Sequence, residues 1–191
     1  MNIFSKLEIK LMSEKRWEET LMHAITEYDT PSFEALLKLG RNINFTAINK
    51  KFESESPLSR AIVRERERVP LLLQAKANPN ILLGQRYAGN PLGWVPVSPV
   101  LLALEHHTQP GMNHVYIALR KAGGKLYGQS VNENKLKTGQ EWLRNAAEKI
   151  QTRLKFKNLE DIYEQWEAEY QNAKIHDALE NPSTTIKRLK I

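Results

Sequence analysis

Cysteine is absent from the chain, which excludes a disulfide framework, a thiolate zinc site, an iron–sulfur cluster and a cysteine nucleophile together. Long apolar runs are missing too. The longest fall far short of the ~20 residues a membrane-spanning helix needs, and residues 1–17 carry charge through every turn where a secretion signal needs an apolar block. Glycine and proline are scarce, at 9 each, so a low-complexity or fibrous composition does not fit. What is present is a chain of 191 residues, 41% hydrophobic and 26% charged, long enough to bury a core without cross-links. It reads as a soluble, cytoplasmic protein, monomeric when free, with no membrane association.

The formal net charge is +6, which suits nucleic acid or an acidic partner, but the charge is unevenly placed. Residues 135–157 hold 7 basic and 2 acidic side chains, whereas residues 158–180 hold 1 basic and 7 acidic. Neighbours of opposite sign at these values favour self-neutralisation over a nucleic-acid footprint.

Three short blocks begin alike: Thr20-Leu21-Met22-His23-Ala24, Pro57-Leu58-Ser59-Arg60-Ala61 and Pro99-Val100-Leu101-Leu102-Ala103. Each opens an apolar helical stretch, and a second apolar helix follows at Phe33–Leu39, Val69–Leu73 and Val115–Leu119. The first two units close on Gly40-Arg41-Asn42-Ile43-Asn44 and Lys76-Ala77-Asn78-Pro79-Asn80, the third on Ala122-Gly123-Gly124. Self-similarity at this period marks a repeat architecture. The blocks resemble ankyrin repeats, whose opening T-P-L-H-x-A and closing G-A-D-P-N they echo over residues 13–128. In the third unit Lys125-Leu126-Tyr127 stands in place of the usual D-P-N, and His23 lies one residue beyond the usual histidine, so the loop-bracing role of that histidine is not carried over.

Side-chain physics leads to the same elements. Ser13 can cap a helix whose Trp17, Leu21, Ala24, Ile25 and Tyr28 share one stripe. Thr30-Pro31 supplies a cap and an early proline, and Gly40 a left-handed stop. One such hairpin cannot bury both faces, so it must stack on a neighbour and be capped at each end. Residues 3–11 are placed to cover the first unit. The C-terminal third, residues 129–191, is helical without repeating: Thr138-x-x-Glu141 is a capping-box pattern, Leu143, Ala146, Ala147, Ile150 and Leu154 form one stripe, and a second helix starts at Asn158. Its stripe is Leu159, Ile162, Tyr163, Trp166, Tyr170 and Ala173, with Glu160, Asp161, Glu164, Glu167 and Glu169 on a solvated face. A basic tail follows Pro182. The fold class expected is therefore all-α: a short ankyrin-like helical solenoid with long inter-repeat loops, residues 1–128, and a C-terminal helical extension packed on the last repeat.

No catalytic motif emerges. His106 and His107 are adjacent and point to different sides of a helix, His114 lies beyond Pro110-Gly111, and no H-E-x-x-H is present. Gly123-Gly124-Lys125 lacks the earlier glycine and the following Ser or Thr of a phosphate loop, and no serine sits in a G-x-S-x-G elbow. The alternating run Arg64-Glu65-Arg66-Glu67-Arg68 suits local ion pairing in water. No cofactor or metal is implied, and the chain is not read as an enzyme.

The long loops carry the candidate partner-binding residues. Phe45–Ser56 holds Lys50, Lys51 and Phe52; Ile81–Ser98 holds Arg86, Tyr87, Asn90 and Trp94; Arg60 and Arg64 lie on the helix between them. Loops lie at the surface, and Arg, Tyr and Trp dominate binding hot spots. What the resemblance implies is that such loops act as fingers which, with the first helices, line a protein-binding groove. A chain of this kind looks like a bacterial or phage inhibitor or immunity protein, or an effector delivered into a host cell without a signal peptide, that occupies another protein. The alternative reading is a nucleic-acid binder using its basic surface.

Overall fold

In the computed structural model, residues 11–48, 54–86, 94–127 and 146–180 are described. The chain is mostly helical. Its elements run in the order α1 (Glu14–Thr26), α2 (Thr30–Leu37), β1 (Ala47–Ile48), β2 (Ser54–Glu55), α3 (Pro57–Arg64), a 3-10 turn (Arg66–Arg68), α4 (Val69–Gln74), β3 (Leu83–Arg86), β4 (Trp94–Val97), α5 (Pro99–Glu105), α6 (Met112–Lys121), α7 (Ala146–Phe156) and α8 (Glu160–Glu180). None of the described helices is long and apolar enough to cross a membrane.

A serine begins each odd-numbered helix of the first six. The side chains of Ser13, Ser56 and Ser98 accept from the backbone N–H groups of Arg16, Ser59 and Leu101, satisfying donors that the first turn leaves open. Because α1 already begins after Ser13, the block at Thr20 sits inside that helix, where the Thr20 hydroxyl bonds back to the Arg16 carbonyl at 2.6 Å. The cap of α2 also differs from the expected Thr30: Asp29 accepts from Ser32 N–H at 3.1 Å, which leaves Thr30 and Pro31 in the first turn. Hydrogen bonding from Ser32 lowers the Asp29 carboxyl below the usual carboxylate value.

Helices α1 and α2, α3 and α4, and α5 and α6 pair as hairpins; α1, α3 and α5 lie side by side, and α4 lies beside α6. One continuous core runs through them, from Trp17, Leu21 and Phe33 through Leu58, Ile62 and Leu72 to Leu101, Leu104, Tyr116 and Leu119. The segments expected as loops are instead two antiparallel β-hairpins, with Ala47 opposite Glu55 and Arg86 opposite Trp94. Strand β2 lies against β3, and α7 against β4.

Each unit ends in one left-handed residue: Gly40 at φ +64, Lys76 at φ +68 and Gly123 at φ +87. Beyond the turn, an asparagine ties each unit to the next. Asn44 Nδ2 donates to the Lys76 carbonyl at 3.2 Å while its Oδ1 accepts from Asn78 N–H at 2.6 Å. Asn80 repeats the pattern one unit on, with the Gly123 carbonyl at 3.0 Å and Lys125 N–H at 2.9 Å. Tyr127 holds the corresponding place in the third unit, and its hydroxyl donates to Gln151 Oε1 on α7 at 2.8 Å.

The extension covers the third unit. Helix α8 packs on α6, with the Tyr116 and Trp166 rings 5.4 Å apart. Glu167 accepts from Arg120 Nη2 at 2.7 Å and from the Tyr116 hydroxyl at 2.8 Å, and Lys121 meets Asp177 at 2.7 Å. Glu167 thus belongs to an interface and not to the solvated face expected of it. Among the described residues, the two oppositely charged segments also find other partners than each other, Lys135, Lys137 and Arg144 lying outside those residues. The acidic helix α8 finds cations on α6, and the basic helix α7 finds Glu105 on α5 through Arg153, with Lys157 at 3.5 Å. Neighbouring helices stripe the same unit and so meet its charges. Asn158 does not start a helix either: at φ +52 it ends α7, with Leu159 N–H closing on the Leu154 carbonyl at 2.9 Å, a C-terminal cap that tolerates asparagine. Residues 3–10, Thr138 with its capping box, and the tail after Pro182 lie outside the described residues.

These contacts can be tested at Lys76, at Gly124 and at Glu167. Lys76→Gly relieves a left-handed backbone that costs a side-chain residue about 1 kcal/mol, part of it offset by a more flexible unfolded chain, so the variant should gain about 0.5 kcal/mol in urea unfolding. Gly124→Ala should lose about 1–3 kcal/mol by overpacking, because a Cβ there would lie 2.7 Å from the Leu119 carbonyl oxygen. The third prediction concerns acid. Burial pushes the Glu167 carboxyl up, but hydrogen bonds from Arg120, Tyr116 and Gln171 outweigh it and leave the carboxyl below its ordinary value. A depressed folded pKa contributes stability that is present above the unfolded value and lost as pH falls through the folded one. Melting temperature should therefore fall below about pH 4.5, and Glu167→Gln should flatten that part of the profile.

Candidate functional site

A groove of about 520 Å³ opens beside the first unit. One wall is the outer face of α1, where Lys15, Glu18, Glu19, Met22, His23, Thr26 and Glu27 recur at helical spacing; the other is Phe45, Thr46 and Ala47 leading into β1, and Arg60 of α3 lies at its end. The geometry follows from the local sequence. The apolar stripe of α1, with Trp17, Leu21, Ala24 and Ile25 buried, turns the opposite, charged face outward. Phe45 is fixed by an edge contact with Trp17, ring centroids 5.7 Å apart, and this holds the β1 wall next to α1.

Arg60 is built into that groove from the inside. Its Nε donates to Glu55 Oε2 at 3.0 Å, and its Nη1 to the Met22 carbonyl at 3.2 Å and the Thr26 hydroxyl at 3.3 Å. It joins β2, α3 and α1, so the expectation that it serves first as a contact for a partner needs amending: most of its donors are committed to the fold. Glu18, Glu19 and Glu27, in contrast, have no ion pair among the described residues.

Arg64 faces elsewhere. At the far end of α3 it lines a second hollow of about 430 Å³ with Tyr28, Glu65, Arg66, Glu67, Pro70, Pro110, Gly111 and His114. Tyr28, expected on the apolar stripe of α1, instead lies beyond the end of that helix, exposed on a left-handed backbone at φ +57. The alternating charges of this turn are not equivalent, as a surface ion-pair run would make them. Arg66 donates to Gln109 Oε1 at 2.6 Å. Arg68 is buried, donates to the Ala24 carbonyl at 2.6 Å and lies over the Phe33 ring at 4.6 Å. Burial pulls its guanidinium below the usual arginine value, opposed by Glu65 and Asp29.

Arg86 and Trp94 are brought opposite each other where the second hairpin leaves the described strands. Tyr87 and Asn90, between them, and Lys50, Lys51 and Phe52, between β1 and β2, lie outside the described residues. The structure thus gathers Arg60 with the α1 face, separates Arg64 from it, and places Arg86 and Trp94 on a neighbouring hairpin. Sequence reasoning missed the α1 carboxylates. Their signal was present in the charged side of the amphipathic helix, but such a side reads as solvated until a second wall is known.

Comparison with known proteins adds no family assignment: neither a family model nor a curated protein matches the sequence.

Because Arg60 is a strut, Arg60→Ala should lower unfolding free energy by about 1–2 kcal/mol through lost hydrogen bonds and the partners left behind. Chemical denaturation measures this. An unchanged midpoint would return Arg60 to the role of a free binding residue.

Proposed function

We propose that the three stacked hairpins form a short ankyrin-like solenoid that acts without catalysis, by holding another protein in the groove between α1 and the first β-hairpin. The observation that carries this reading is the groove itself. Its size, about 520 Å³, is that of a binding cleft, and it lies where a rigid helix and a braced strand meet, so little entropy is lost when a partner settles. Arg86, Tyr87, Asn90 and Trp94 of the second inter-helix segment, and Lys50, Lys51 and Phe52 of the first, remain proposed contacts on the strength of their residue types alone. Occupying a partner in this way suits an inhibitor, an immunity protein or a delivered effector, acting in the cytoplasm.

A nucleic-acid role is the competing reading. It is disfavoured because many cations are already used within the fold: Arg41 on Glu14, Arg60 on Glu55, Arg120 on Glu167, Lys121 on Asp177 and Arg153 on Glu105.

Affinity capture from the native source with the wild-type chain and with Ala47→Arg, which fills the groove from its strand wall, separates the two. A protein should be retained by wild type and bound at least tenfold more weakly by the variant, whose melting temperature should match wild type. Equal retention by both would remove the groove from the mechanism. Recovery of nucleic acid whose affinity falls steeply with salt would favour the competing reading.

A further inference from the structure

We propose that the groove beside α1 is selective for a basic segment of its partner, one carrying Lys or Arg side chains; this rests on the groove being the binding surface. The argument is one of charge complementarity. Three carboxylates, Glu18, Glu19 and Glu27, line the groove without an ion pair among the described residues. Of the two cations in the lining, Arg60 is spent on Glu55 at 3.0 Å and on two oxygens of α1, leaving Lys15 at the opposite end. The local balance is therefore negative in a chain whose net charge is +6.

Helix geometry strengthens the field. Glu27 is the C-terminal cap of α1, where the helix dipole adds partial negative charge, and it lies at the same end as Thr26 and Met22. The lining also holds apolar side chains, Met22, Phe45 and Ala47, with Phe45 packed against the core. Carboxylates beside apolar side chains match the anatomy of Lys and Arg, whose methylene stems take apolar contact while the charged head reaches polar partners. An acidic segment would face three unpaired carboxylates and pay for it in like-charge repulsion.

The test is a selection of random dodecapeptides displayed on phage against the immobilised full chain, followed by titration of the recovered peptides against wild type, Ala47→Arg and the triple variant Glu18→Gln/Glu19→Gln/Glu27→Gln. Peptides lost on Ala47→Arg are groove-dependent. These should be enriched in Lys and Arg, bind the triple variant at least tenfold more weakly, and weaken as salt is raised from about 50 to about 300 mM. Groove-dependent peptides that are neutral or acidic, or that bind the triple variant as well as wild type, would overturn the selectivity and leave the groove as the binding surface. No peptide sensitive to Ala47→Arg would overturn both. Thermal melting of the triple variant within a degree or two of wild type shows that lost binding is not lost folding.

Discussion

Asn44 and Asn80 each use both ends of one amide on the unit that follows, donating to one backbone carbonyl and accepting from the N–H two residues on. Burial of apolar surface drives the hairpins together but has no direction, and helices with Leu, Ile and Val on their contact faces have several sliding positions of similar burial. A two-point amide bond does have direction, so it sets the register from unit to unit. Arg60 closes the end of the groove only in that register, because it must reach the Met22 carbonyl across the boundary between the first and second units. Where Tyr127 replaces the asparagine the bridges stop, and the side chain turns instead to the helix that covers the stack.

The groove and the fold share residues, and this shapes what each can do. Arg60 fastens three elements, so its charge is spent before any partner arrives. The field in the groove is then left to carboxylates that contribute little to stability. Such a division leaves the groove carboxylates replaceable while the frame that holds them is fixed, since surface carboxylates away from structural pairs alter stability only slightly when changed.

Much of this was legible in the residues. The apolar periodicity marked the eight described helices, Ser13 marked the first cap, Gly40 a turn, and the closing asparagines marked the ends of units. The rest escaped for identifiable reasons. Lys76 and Asn158 occupy left-handed positions that sequence reading assigns to glycine. Strands of two to four residues are shorter than any periodicity can register. Arg68 looked like one charge in an alternating run, yet the turn of the chain carries it inward onto the Phe33 ring. The pairing of Arg120 with Glu167 joins residues 47 apart in sequence, a distance at which charge counting cannot choose a partner, and so the acidic helix was matched with its neighbour instead of with α6. Of the groove lining, Arg60 was named in advance, and the face of α1 was not, since one helix cannot show that another wall stands opposite.

Glu105 and Arg153 are both almost wholly withdrawn from water, at 3% and 4% side-chain exposure. Burial, opposed by Lys157, leaves the Glu105 carboxyl raised to about 7, while the guanidinium of Arg153 favours the ionised form. An ion pair so enclosed tolerates neither partner alone, which ties two distant parts of the chain to a single event. Within a hairpin the bonded groups are near neighbours, as with Trp17 and the Leu36 carbonyl at a separation of 19, whereas Glu105 and Arg153 are 48 apart. Closing the longer loop costs about 0.8 kcal/mol more in chain entropy, and it yields nothing until α5 already presents its carboxylate. The pair thereby makes the third unit and the extension interdependent: loss of either charge leaves the other buried alone and loosens α7 from α5.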